Sequence, residues 1–202
     1  VIENFLRLPR GPVQITADLL RLLGVISVVV AGVWWSPTDA GVLAFALPAL
    51  FIPRFVGVRA WFDVTCNVVV LVAAWSNVFD LYTRVAWWDL VVHFTCTGVL
   101  AALAYLGLSR FGVVTPTADP GFRRATGVIL GLALGLAVSA LWEMVEWAGY
   151  TFISDRIFVT YDDTISDMAI GGLGALLAGF ALAVLPFEPA RLSEPAPSRV
   201  EV

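Results

Sequence analysis

The sequence predicts an all-α, polytopic membrane protein built as a bundle of about six transmembrane helices. Three observations carry that reading. Of the 202 residues, 59% are hydrophobic and only 14% are charged, whereas a soluble globular domain averages about 45–50% apolar and about 25% charged. The mean hydropathy is +0.88. The apolar residues are gathered into runs close to the roughly 20 residues that cross a bilayer as a helix.

The first run, 17–35, ends at Trp34 and Trp35 before Ser36-Pro37. The second, 39–53, is short and contains Pro48. The third is 59–79, the fourth 86–108, the fifth 123–149 and the sixth 164–185. Residues 1–16 read as a cytoplasmic lead-in, charged and then running into the first span without a small-residue cleavage site, so that span acts as an uncleaved anchor. Residues 186–202, rich in Pro, Glu and Ser, read as a flexible cytoplasmic tail. A single membrane domain, 17–185, holds nearly all the apolar sequence.

Arginine placement orients the bundle. All 12 basic residues are Arg. Arg7, Arg10, Arg21, Arg54, Arg59, Arg110, Arg123, Arg124, Arg191 and Arg199 fall at one set of span ends, and only Arg84 and Arg156 at the other. Cytoplasmic loops carry the excess of positive charge. Both termini are therefore expected in the cytoplasm, which requires the second span. The expected location is a bacterial cytoplasmic membrane. The net charge of −4 gives no support to a nucleic-acid partner. Cys66 and Cys96 lie inside apolar runs and read as small packing residues rather than a disulfide.

Three spans carry ionisable residues at helical spacing: Asp89 and His93, Glu143 and Glu146, Asp163 and Asp167. Residues three or four apart share a helix face. All six sit at the extracytoplasmic ends, with Asp80, Asp155 and Asp162 at the margin. Small residues aim them at one another. Gly127, Gly131, Gly135 and Ser139 lead at intervals of four into Glu143. Asp163, Asp167, Gly171 and Ala175 continue on the sixth span, and Asp89, His93, Thr97 and Ala101 on the fourth. Such stripes let membrane helices approach closely. Plain packing explains most of the glycine pattern, but not the charges at its end. Ionisable groups in a membrane mark function by default.

Buried carboxylates without cations repel, and a divalent cation resolves that repulsion. Five carboxylates and one imidazole form a mainly hard oxygen set that suits Mg²⁺, Mn²⁺, Ca²⁺ or Fe²⁺, with Zn²⁺ admitted through His93. His93, Glu143, Glu146, Asp163 and Asp167 are the expected ligands of one or two ions, and Glu143, Glu146 and Asp89 the candidates for catalytic roles. Arg84 and Arg156 could hold an anionic headgroup, with the 150–162 segment as a lid. The competing bland reading is a hydrogen-bonded cluster neutralised by Arg84, Arg156 or bound protons, and a proton relay competes with ligation at His93. Trp34, Trp35, Trp87, Trp88, Trp142 and Trp147 fall near the external interface, where tryptophan is normally enriched.

At these motifs, W-W-D-L-V-V-H-F at 87–94, W-E-M-V-E-W at 142–147 and Y-D-D-T-I-S-D-M at 161–168, the second half of the chain resembles the YjdF-like family of bacterial inner-membrane proteins. The resemblance implies a multi-helix membrane protein and no particular reaction. More distantly the chain is similar to VanZ-like proteins. There Gln stands in place of Glu146 and Asn in place of Asp167, so the present site is the more acidic.

Three functional classes fit these residues. One is a metal-dependent hydrolase or transferase acting on a lipid or lipid-linked substrate. The second is a non-catalytic subunit of a larger membrane-protein complex, holding a structural ion. The third is a small ion- or proton-coupled transporter, for which Asp63, near the cytoplasmic end of the third span, would be the second polar station.

Overall fold

The computed structural model describes residues 2–154, 157 and 159–189. Every regular element among them is helical: α1 (Ile2–Leu6), α2 (Pro12–Trp34), α3 (Pro37–Val56), α4 (Ala60–Val78), α5 (Leu81–Arg84), α6 (Trp88–Arg110), α7 (Arg124–Phe152) and α8 (Tyr161–Val184). Six of them, α2, α3, α4, α6, α7 and α8, are long and apolar enough to cross a membrane. The protein is a multi-pass membrane protein, as its sequence predicts.

The spans start and stop on recognisable chemistry. Pro12 opens α2 five residues before the expected start, because proline at a first helical position has its φ already set and has no N–H to satisfy. Ser36 caps α3 by accepting the Asp39 N–H at 3.1 Å, and Pro37 follows it. α3 runs straight through Pro48 and Pro53 and ends on Gly57 at φ 81°. The short second span is thus a full 20-residue helix. Prolines in membrane helices are tolerated because neighbouring groups take up the freed carbonyls. α8 begins three residues before the expected start. The Thr160 hydroxyl accepts the Asp163 N–H at 3.3 Å, so the acidic pair Asp162 and Asp163 forms the first helical turn rather than a loop.

Two groups of helices result. α8 packs between α6 and α7, while α2, α3 and α4 pack together, and α4 joins the groups through α6. The α6–α7–α8 group is held by the small-residue stripe. All of Gly127, Gly131, Gly135, Ser139 and Glu143 are buried along α7, and Asp167, Gly171, Gly174, Ala175 and Gly179 along α8. A Cβ on Gly131 would lie 2.8 Å from the Gly179 Cα, and one on Gly98 of α6 would lie 2.9 Å from the Gly174 carbonyl oxygen. The main chains therefore meet where any side chain would hold them apart.

The second group is pinned by a buried ion pair. The Arg21 guanidinium of α2 bonds Asp63 of α4, the Asp18 carboxylate at 2.7 Å and the Leu50 carbonyl of α3 at 3.0 Å. Asn67 donates to the Asp63 carboxylate at 3.0 Å. Asp63 is therefore a fixed partner of a buried arginine, which corrects its reading as a free polar station.

The tail is corrected too. Phe187 is buried against Trp61 and Phe62, with ring centroids 5.1 and 4.7 Å apart. The Glu188 carboxylate accepts from Ser109, Thr117 and the Ala118 N–H at 2.9–3.3 Å. Residues 186–189 are thus docked on the bundle, and the rest of the expected tail lies outside the described residues. At the other terminus, α1 stacks Phe5 on Phe55 at 4.4 Å, while Asn4 donates to the last carbonyls of α3.

Candidate metal centre

The first turns of α6 and α8 and the last turns of α7 come together at one end of the bundle, the carboxylate end. Stripe packing sets their register. Gly171 of α8 lies beside Thr97 of α6 and Ser139 of α7. One turn further on each helix stand Asp167, His93 and Glu143. The three side chains are buried, with 1%, 6% and 6% of their residue surfaces exposed. Small residues at one level thus press the charged residues together at the next.

His93 is the centre. Its Nε2 lies 3.4 Å from Asp89 Oδ1 and 3.8 Å from Asp167 Oδ2, and its Nδ1 lies 3.8 Å from Glu143 Oε1. Two sets of potential ligand atoms lie within 4.8 Å of one another: Asp89, His93 and Asp167 on one side of the ring, His93, Glu143 and Glu146 on the other. Two donors at about 2.1 Å from one tetrahedral ion are about 3.4 Å apart. The spacings observed are those of side chains grouped around an ion-sized space, slightly open.

Hydrogen bonding tests whether a cation suits that space. Among the described residues, Glu143 Oε1, both carboxylate oxygens of Asp167 and the Ser139 hydroxyl are buried and have no hydrogen-bond partner. Buried polar atoms are normally paired, and leaving one unpaired costs about 1–3 kcal/mol, more for a charged group. Two of the orphaned atoms, Glu143 Oε1 and Asp167 Oδ2, lie 3.8 Å from the imidazole, and among the described residues no Arg pairs with any of the five carboxylates. An oxygen-rich set with one nitrogen fits a divalent cation.

Other side chains expected at the site fall in different places. Asp163 is in the first turn of α8, one turn from Asp167, and belongs to neither set of grouped ligand atoms. Arg84, in α5, pairs with Asp80 at 3.6 Å, both largely exposed. Arg156 and Asp155 lie outside the described residues. The segment joining α7 and α8 is 153–160, shorter than the expected lid because both helices extend into it. Cys96 is half-buried with its thiol 4.0 Å from the Val69 carbonyl, and Cys66 is buried in the core; both are free.

The sequence leaves two contributors out of the site, although Trp142 stands one helical turn from Glu146. Trp142 Nε1 donates to Glu146 Oε1 at 2.8 Å, fixing that carboxylate from the lipid side. Tyr82 stands in the field of Asp89 and Glu146, and burial pushes its phenol well above its ordinary value. Its hydroxyl donates to the Ala73 carbonyl at 2.9 Å, so it braces α5 as a neutral group rather than offering an anionic ligand.

Neither a curated protein nor a solved structure matches the chain. Residues 15–186, which include all six spans but for the first three residues of α2 and all the grouped carboxylates, match the model of the predicted membrane protein family DUF2238, and the chain belongs to that family.

Proposed function

We propose that the protein is a metal-dependent membrane hydrolase or transferase acting on a lipid or lipid-linked substrate from the outer leaflet of a bacterial cytoplasmic membrane. The observation that carries this reading is the convergence of unpartnered, buried carboxylate oxygens from α7 and α8 on His93 of α6. His93, Glu143, Glu146 and Asp167 hold one or two divalent ions, drawn from Mg²⁺, Mn²⁺, Ca²⁺, Fe²⁺ or Zn²⁺. Asp89 either joins them on the Nε2 side or orients the imidazole, a common partner arrangement for a ligating histidine. Asp163, a turn nearer the rim, lies outside both sets of ligand atoms. A bound ion of this kind supplies a Lewis acid and a water of lowered pKa. A carboxylate oxygen left free by the ion, on Asp89 or on the Glu146 that Trp142 already orients, takes or returns a proton. Arg84 and Arg156 meet an anionic headgroup at the rim.

The orientation follows from the ten-to-two arginine distribution, which puts the carboxylate end outside and both termini in the cytoplasm. The motif likeness to YjdF-like proteins, and the more distant one to VanZ-like proteins, fits an inner-membrane setting. The pairing of Asp63 with Arg21 argues against a proton- or ion-coupled path to the cytoplasm. The accessory-subunit reading shares the ion site and differs in having no open coordination position.

The test is metal content and binding in the purified protein in lipid nanodiscs. Wild type is expected to take up one or two equivalents of divalent metal, and Glu143→Ala with Asp167→Ala to take up none. A wild-type protein that binds no divalent ion while folded would end the reading.

A further inference from the structure

α8 seals α6 against α7, and α4 covers another flank of α6. Both α3 and α7 border α6, yet no Cα pair between α3 and α7 comes within 8 Å. They are also the least buried spans. Between them runs a cleft with α6 as its floor, facing the bilayer.

A single ring contact crosses that cleft. Phe45 of α3 meets Trp142 of α7 with centroids 6.2 Å apart, with Phe45 56% and Trp142 38% exposed. The polar edge of the same indole holds Glu146, which belongs with His93 and Glu143 to one of the two ligand sets. One residue therefore separates the lipid-facing cleft from the candidate centre. One turn nearer the carboxylate end α3 carries Gly41, and one turn nearer that end α7 carries Glu146. A Cβ on Gly41 would meet nothing within 4 Å. At the level of Glu146, α3 leaves its side of the cleft empty. Trp142 lies ten residues from the end of α7, about 15 Å along the axis, deeper than the interfacial belt its sequence suggests, so the opening sits at acyl-chain depth.

We propose that the cleft between α3 and α7 is a lateral entrance through which one phosphate-bearing membrane lipid reaches the centre. This rests on the metal reading above. The lipid chain lies along Phe45 and the face of Trp142, and its phosphate lies beside Glu146 toward the ion. Two features select this occupant. A cleft open to the bilayer at this depth is filled by hydrocarbon, and an indole with its apolar face to lipid and its N–H to a carboxylate suits a molecule apolar at one end and polar at the other. The grouped carboxylates repel an anion until a divalent ion is bound, and the bound ion then attracts it, so lipid capture depends on metal.

The experiment uses the full chain in phosphatidylglycerol nanodiscs, loaded with Mn²⁺ or stripped with EDTA, with retained lipid counted by native mass spectrometry. Wild type should retain one phosphatidylglycerol per chain with Mn²⁺ and at least about tenfold less with EDTA. Gly41→Trp, whose Cβ enters open space on the α3 side of the cleft, should bind Mn²⁺ normally by electron paramagnetic resonance and lose the metal-dependent lipid. Inorganic phosphate should still reach the Mn²⁺ form of that variant, and should not displace lipid from wild type at equal concentration. The entrance is overturned if Gly41→Trp retains lipid as wild type does, if retention ignores Mn²⁺ in a protein that binds it, or if free phosphate competes as an equal. A wild type that binds no Mn²⁺ overturns the metal reading and the entrance together.

Discussion

Gly171 of α8 is wedged between Thr97 and Ser139: a Cβ placed on it would lie 2.8 Å from Thr97 Oγ1 and 3.0 Å from Ser139 Oγ. The contact sits one turn below the ring of Asp167, His93 and Glu143, so it sets how closely those side chains approach. Gly171→Ala should cost about 1–3 kcal/mol as an overpacking change and weaken divalent-metal binding by moving Asp167 outward. Gly41→Ala, in open space, should do neither. Thermal unfolding and Mn²⁺ titration of the two variants check this. Equal behaviour would mean that the stripe does not position the carboxylates.

Arg21 and Asp63 form a second buried polar cluster, which ties α2 to α4. Removing one partner of a buried pair leaves an uncompensated charge, at a cost of about 3–5 kcal/mol. Asp63→Ala should therefore destabilise strongly. The double variant Arg21→Met with Asp63→Leu should recover most of the loss, since it leaves neither charge behind. Unfolding of both in mixed detergent micelles measures the difference. If Asp63→Ala shifts stability by less than about 1 kcal/mol, the pair does not hold α2, α3 and α4 together.

What could be read from the chain beforehand depended on periodicity. The interval of four from Gly127 to Glu143 is visible in one segment, and it names the buried face of α7 residue by residue. The same holds for His93 with Thr97 and Asp167 with Gly171, so the faces that bring these side chains together were legible. Arg21 and Asp63 are 42 residues apart, and no local pattern couples them. Arg21 looked like one more positive charge near a span end. Phe187 was hidden in a Pro- and Glu-rich segment whose composition reads as unstructured, and only its fit against Trp61 and Phe62 reveals it. The early start of α8 was missed because Asp162 and Asp163 suit a loop by charge, while the Thr160 cap and the favourable position of acids in a first turn make them helical.

Glu188 converts that docked segment into a clamp. Its carboxylate gathers Ser109 at the end of α6 with Thr117 and the Ala118 N–H in the connection to α7, while Arg59 Nε bonds its carbonyl at 2.9 Å. A hydrogen bond to a charged group contributes about 1.5–3 kcal/mol, less where water competes. Glu188→Ala should lower stability by about 1–3 kcal/mol and speed amide exchange across 112–121, with metal binding at the opposite end unchanged. Unaltered exchange in that connection would show that Glu188 restrains nothing.

Asp167 and Asp163 lie one turn apart on α8 and should respond differently to neutralisation. Asp167 is almost fully buried, with both carboxylate oxygens unpartnered and Oδ2 3.8 Å from His93 Nε2. Asp163 is outside both grouped ligand sets. Asp167→Asn removes a charge from the proposed ion site and should weaken divalent-metal binding by at least about tenfold, as loss even of a group orienting a ligand does. In EDTA the same variant should be more stable than wild type, because the carboxylates around His93 then repel one another less. That opposite pair of effects distinguishes a metal ligand from a residue that merely packs, which would destabilise under both conditions. Asp163→Asn should change metal affinity by less than about threefold and leave stability in EDTA near wild type. Isothermal titration with Mn²⁺, and melting with and without EDTA, give all four values. If Asp167→Asn binds Mn²⁺ like wild type, the buried carboxylates answer to some partner other than a cation.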